Sequence, residues 1–168
     1  MKTLMPITLL LILLSSCSSS ISQNIVKGPV LIEEKTLPDF TFKDQFGNSK
    51  TIDGSIEKLI FAFDEDPAHA VNDFLATKPA SFLKDNKTLF IADISAAPGI
   101  IRKMFILPGI KKYEYSVLIF TDEEEAAPFR EGVKTEQLIV VSLNNKTISS
   151  IKTINPTTEE VKKLFLEK

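Results

Sequence analysis

Cysteine is almost missing from this chain: its 168 residues contain one, Cys17. A single thiol excludes an internal disulfide and a Cys-x-x-Cys redox pair. Tryptophan is absent altogether, and twelve phenylalanines carry most of the aromatic volume instead. No sign of charge is in excess, since 20 Lys and Arg meet 22 Asp and Glu for a net charge of −2. No basic stripe stands behind that balance, which argues against a nucleic-acid binder. Long hydrophobic runs are also missing. The longest, Leu9-Leu10-Leu11-Ile12-Leu13-Leu14, is too short to cross a hydrocarbon core of about 30 Å. No internal repeat and no second linker interrupts the rest, so one domain is the simplest count.

What is present begins with that apolar run. Lys2 gives it a positive start, and the small residues Ser15 and Ser16 close it before Cys17, as a cleavable leader requires. Leu14-Ser15-Ser16-Cys17 resembles the bacterial lipoprotein box, in which the cysteine becomes the acylated first residue of the mature chain. The resemblance implies that residues 1–16 are a signal peptide and that residues 17–29 are lipidated Cys17 with a polar, Ser-rich tether. It also implies an envelope protein bound to a membrane through lipid on Cys17. Ser18, rather than Asp, favours the outer membrane with the domain facing the periplasm. Several acyl chains, at about 0.8 kcal/mol per buried CH₂, hold a soluble domain firmly on a bilayer. The competing reading is an ordinary secretory leader whose cysteine is incidental.

The remaining chain, 30–168, is large enough to bury a core of its own. Val30-Leu31-Ile32 reads as the start of a strand. Phe40 and Phe42 alternate with Thr41 and Lys43 as in a half-buried strand, Asp44-Gln45-Phe46-Gly47-Asn48 is turn chemistry, and Ser49–Ile52 returns as a hairpin arm. Leu59–Phe63 is a continuous apolar run suited to a strand covered on both faces. Asp66-Pro67 reads as the cap and first residue of a helix whose stripe is Val71, Phe74 and Leu75. Lys78-Pro79 breaks it, and Phe82-Leu83 belongs to a short second segment. Leu89–Ala92, Tyr115–Phe120 and Leu138–Val141 are further strands, the last returning through Asn144-Asn145-Lys146. Between them, Ile100, Ile101, Met104 and Phe105 are expected to form the inner face of a helix ending near Pro108-Gly109. Thr157 and Glu160 make a capping box for a last helix with Val161, Leu164 and Phe165 inside. Strands alternating with helices predict an α/β mixed sheet flanked by helices on both faces, with an N-terminal β-hairpin.

Leu37-Pro38-Asp39-Phe40-Thr41-Phe42, followed by Asp44-Gln45-Phe46-Gly47, resembles the opening hairpin of redoxins and peroxiredoxins. The order of elements from there to the end is similar to the thioredoxin fold and to its periplasmic YtfJ-like branch. In that family the nucleophilic cysteine sits where the first core strand feeds a helix, because the helix N-terminus stabilises thiolate. Here that loop is Asp64-Glu65-Asp66-Pro67-Ala68-His69. The family's cis-proline before the third core strand is replaced by Thr135-Glu136-Gln137. From these departures the chain is expected not to be an enzyme, and specifically not a thiol-disulfide oxidoreductase or cysteine peroxidase.

Other chemistry is weighed on the same loop. Asp64, Asp66 and His69 fall at the C-terminal end of a core strand, with Asp93 at the end of another, so together they are metal-ligand candidates. In the competing and stronger reading Asp66 caps the helix while Asp64, Glu65 and His69 are solvated. Phe63-Asp64-Glu65-Asp66 also resembles the aspartate pair of haloacid-dehalogenase-type phosphatases. That resemblance implies Asp64 as nucleophile, Asp66 as acid/base and Thr121 as phosphate holder, in a metal-dependent hydrolase. The run Asp122-Glu123-Glu124-Glu125 is a cation or basic-partner candidate, but more simply a solvated loop or helix start. The sequons at Asn86 and Asn145 read as turn chemistry, and Phe129 reads as a plug onto the core. No cofactor is expected. The expected role is binding or assembly in the cell envelope, with an envelope protein or peptide as partner and no nucleic acid.

Overall fold

The computed structural model describes residues 28–166. The leader, Cys17 and most of the tether therefore lie outside the described residues. Seven strands form one mixed sheet: β1 Thr41–Asp44, β2 Ser49–Thr51, β3 Lys58–Ala62, β4 Thr88–Asp93, β5 Leu118–Phe120, β6 Leu138–Asn144 and β7 Thr147–Ile154. Their order across the sheet is β2-β1-β5-β4-β3-β6-β7. β3, β4 and β5 run parallel, and the remaining neighbours pair antiparallel. This is the mixed α/β sheet of the thioredoxin-like fold, with the hairpin added at one edge.

The apolar runs place β3 and β4 at the centre. Leu59, Phe61 and Phe63 enter one cluster with Leu89, Ile91, Phe120, Ile139 and Phe129, while Ile60 and Ala62 enter the other with Phe90, Val71, Phe74, Leu75 and Val161. A strand whose alternate side chains are all apolar needs a layer on each face. The second face is covered by α1 Glu65–Leu75, α2 Phe82–Asp85 and the last helix Thr158–Leu166. There Phe165 stacks on Phe74 at 5.4 Å and meets Phe82 edge-on at 4.9 Å. The first face is covered by the helix Glu123–Arg130, here α4, through Ala126 and Phe129. Phe129 is buried, as expected of a plug, and its ring lies 4.8 to 5.9 Å from those of Phe40, Phe42, Phe61 and Phe120.

The turns follow the residues that build them. Gly47 has φ +88°, and the Asp44 carboxylate accepts the Phe46 and Asn48 amides at 2.9 and 2.8 Å, closing the first hairpin. Burial opposes charge on Asp44, but these bonds and that from the Asn48 side chain hold its carboxyl below the usual range. Asn145 and Lys146 both take positive φ, as a two-residue turn between β6 and β7 requires. Gln45, buried beside that first turn, donates to the Tyr115 carbonyl and accepts from the Val117 amide at 2.8 Å each, bridging hairpin and sheet.

Three expectations need correction. Val30-Leu31-Ile32 is not a strand: the segment is irregular and buries Val30 and Leu31 in the core, and the chain after it meets the β7 edge through Glu34 and Lys35 on Ile148 and a Thr36–Thr147 bridge. The first helix is capped by Asp64 rather than Asp66, with Pro67 inside the first turn, where a missing N–H costs nothing. The helix after β4, here α3, runs over 99–110 through Pro108-Gly109, as an α-turn Gly99–Ile101, a π-turn Arg102–Ile106 and a last turn Leu107–Ile110. Pro108 has no N–H to give, and the π-turn just before it accommodates that loss. The expected inner face of α3 is its outer one, since Ile100, Ile101, Met104 and Phe105 are exposed. Periodicity identifies a common face but not the side on which the core lies.

Phe129 joins α4 to four other rings, so its truncation opens a cavity that no small shift can close. Phe129→Ala is expected to destabilise the domain by about 3–5 kcal/mol, read as a lower midpoint in urea unfolding with an unchanged slope.

Candidate functional site

The three parallel strands end side by side, and their C-terminal loops form the surface on which open α/β sheets bind ligands. β3 delivers Asp64 there, β4 delivers Asp93, and β5 delivers Thr121 and the start of α4. The β3–β6 register Phe61↔Ile139, continued by two residues, brings Phe63 level with Gln137, so the loop 135–137 borders the same surface.

Most carboxylates here are already engaged. Asp64 accepts the Glu65 amide at 2.7 Å as the cap of α1. Glu65 and Asp66 occupy the first turn, where negative charge meets the positive end of the helix dipole, and His69 faces Glu65 at 3.3 Å on an exposed side. Asp122 caps α4 by accepting the Glu124 and Glu125 amides at 2.8 and 3.3 Å, so the acidic run is a helix start. Among the described residues no group of three or more His, Cys, Asp or Glu is placed to hold a metal ion, and Asp64, Asp66, His69 and Asp93 are not brought together as one. Thr121 and Asp64 follow strands separated by β4, about 10 Å of sheet, and the Asp64 carboxylate serves its helix. The phosphatase-like arrangement is therefore not assembled.

What the strand ends do assemble is a line of polar groups around Asp93. Its side chain is 2% exposed, with Oδ1 accepting the Ser95 amide at 2.8 Å and Oδ2 facing Arg130 Nε at 3.5 Å. That separation is an ion pair and not a hydrogen bond, and Asp93 Oδ2 has no hydrogen-bond partner. Arg130 also binds Glu123 across α4, and Ser95 Oγ donates to the second Glu123 oxygen at 3.1 Å. Arg102, from α3, donates to the Ser95 and Ala97 carbonyls at 2.6 and 2.7 Å. The hydrogen bonds from Arg130 and Ser95 hold the Glu123 carboxyl below its usual range. Of these five residues the sequence singled out Asp93 and, within the acidic run, Glu123. Ser95, Arg102 and Arg130 carry no such signal, and the 36 positions between Asp93 and Arg130 give no local sign of their pairing.

The surface thus belongs to a thioredoxin-like domain in which a capped aspartate stands at the head of α1. Solved structures place the chain among proteins of that fold. A solution structure from Bacteroides thetaiotaomicron, provisionally assigned as a protein disulfide isomerase, superposes with TM-score 0.53 at 15% identity over 83% of this chain and 89% of that one. The peroxidoxin BcpB of Mycobacterium tuberculosis gives 0.50 at 14% identity over 80% and 94%. A provisional thiol:disulfide interchange protein, DsbE, of Chlorobium tepidum gives 0.50 at 18% identity over 81% and 96%. No family model and no curated protein matches the sequence. These neighbours correct the expectation that the chain is not an enzyme. The structures sharing its fold carry thiol-disulfide and peroxidase names, so that exclusion is withdrawn; the chain's single cysteine leaves catalysis open.

Arg130 is the cation that faces a nearly buried carboxylate. Arg130→Gln is expected to cost about 3 kcal/mol in urea unfolding, and Asp93→Asn added to it should recover part of that loss. Because the Glu123 carboxyl is held low, its contribution is present above the ordinary carboxylate range and fades as pH falls through the folded value. Glu123→Gln should therefore flatten the acid side of the stability–pH curve while leaving its neutral region nearly level.

Proposed function

We propose that this protein is a lipid-anchored, periplasm-facing component of the bacterial envelope whose thioredoxin-like domain binds an extended segment of a partner protein along the outer edge of β7. Support for the anchor is the Leu14-Ser15-Ser16-Cys17 box with its leader and polar tether. The observation that carries the docking mode is that outward main-chain groups of this edge already pair with a non-strand segment of the chain. The Glu34 amide donates to the Ile148 carbonyl at 2.8 Å, and the Ile148 amide donates to the Lys35 carbonyl at 2.9 Å. The Ile151 amide points the same way, to Glu33 at 2.9 Å, and Thr153, two residues on, shares its outward orientation. Beside that stretch lies a depression of about 390 Å³ lined by Leu31, Val133, Lys134, Gln137, Ile151 and Thr153, among others. Main-chain pairing on an edge supplies affinity in strand addition, and a neighbouring hollow for alternate side chains supplies selectivity.

Two substitutions test the two halves. Cys17→Ser should abolish labelling of the protein by a fatty-acid analogue fed to its own cells, and a wild-type chain that takes up no label would sink the anchor. Thr153→Pro removes one outward N–H without touching the β6 ladder, a position at which an edge strand tolerates proline. It should abolish co-purification of the partner that the wild-type chain recovers from crosslinked envelopes, while shifting the unfolding midpoint little. Equal recovery with Thr153→Pro would rule out the β7 edge.

A further inference from the structure

We infer that α3 is a membrane-surface helix: the face presented by Ile100, Ile101, Met104 and Phe105 lies in the interface of a bilayer rich in anionic phospholipid. These side chains are 66%, 39%, 61% and 63% exposed, a concentration of large apolar groups that contrasts with the two well-filled cores of the same domain. Ile100, Met104 and Pro108 follow at four-residue spacing, as do Ile101 and Phe105, so the exposed groups share one side of the helix. The opposite side is fastened to the domain by the Arg102 guanidinium on the Ser95 and Ala97 carbonyls and by Ile110 against the second core. The exposed face is thus held outward by contacts of its own.

Charge identifies what covers it. Between Ile94 and Tyr113 the chain places four of its 20 basic residues and none of its 22 acidic ones. Arg102 is spent on backbone carbonyls, but Lys103, Lys111 and Lys112 are exposed and form no ion pair among the described residues. Lys103 is the neighbour of Met104 in the chain, and Lys111 and Lys112 follow directly on the helix end, so cationic heads border the apolar strip. An apolar face rimmed by unpaired lysines, in a chain that is otherwise acidic, complements an anionic lipid surface. A second copy of the chain would bring the same lysines together and repel itself.

The inference stands on α3 alone and does not need the anchor; where the anchor is present, it confines α3 near the surface it prefers. The test uses the full chain carrying Cys17→Ser, so that acylation plays no part. The chain has no tryptophan, so Phe105→Trp supplies a single reporter, and Lys152→Trp on β7, three strands from β4, supplies a control. With vesicles of phosphatidylglycerol the indole at position 105 should shift to shorter wavelength and be quenched by brominated acyl chains, while the indole at 152 should not. Phosphatidylcholine vesicles, or Lys103→Gln, Lys111→Gln and Lys112→Gln combined, should weaken partitioning by about 100-fold. Met104→Asp should abolish the shift with circular dichroism unchanged. No shift at position 105, an equal shift at 152, or equal binding to both lipids would overturn the inference. So would a concentration-dependent dimer that forms without lipid and is lost in Met104→Asp. Acyl labelling at Cys17 bears on the anchor only, so the two ideas fail separately.

Discussion

The burial of β3 and β4 on both faces is the constraint from which the rest of the architecture follows. Leu59, Phe61 and Ile91 point to one side, Ile60 and Phe90 to the other, and none retains measurable exposure. Neither set can be covered by the sheet itself, so helices must return to both faces between successive parallel strands. α1, α2 and the last helix satisfy the second face. On the first face the eight-residue α4 supplies Ala126 and Phe129 and is joined by Val30, Leu31, Leu37, Ile52 and Ile56 from outside the helices, and Phe129 meets four other rings there.

The same helix organises the polar surface at the strand ends. Its first turn carries Glu123, its last turn carries Arg130, and the arginine reaches back to Asp93 at the end of β4. A nearly buried carboxylate set against one arginine is costly to disturb, and here it locks α4 to the sheet from the polar side as Phe129 does from the apolar side. The carboxylates that first suggested a metal or phosphate site are thereby accounted for as helix caps and ties. Asp64 and Asp122 do at the heads of α1 and α4 what short acidic side chains commonly do at helix N-termini.

Much of this was legible in the sequence, and the failures share one cause. Alternation in Phe40–Lys43, the continuous run Leu59–Phe63, the Asn144-Asn145-Lys146 turn and the Thr157–Glu160 box are local signals, and each specifies its element without help from distant residues. Val30 and Leu31 look like strand in the sequence because apolar neighbours look alike whether they pair or merely plug a gap. The stripe on α3 suggests an inward face because a helical period reports a face relative to the helix and not to the sheet. Ser95, Arg102 and Arg130 were invisible for the same reason, since their roles arise only when β4, α3 and α4 meet.

α1 and α3 are two kinds of amphipathic helix that composition alone confuses. A core-facing helix in this domain, α1, has Glu65, Asp66 and Asp73 on its solvent side and no basic residue in its last turn. α3 has apolar groups on its solvent side, lysines around them and no acid anywhere along it. The Arg102 clamp and Ile110 against the second core fasten it to the domain with the strip outward. The sheet order keeps the two proposed surfaces apart. β7 lies three strands from β4, about 14 Å across the sheet, so an extended segment added at that edge need not compete with a bilayer under α3.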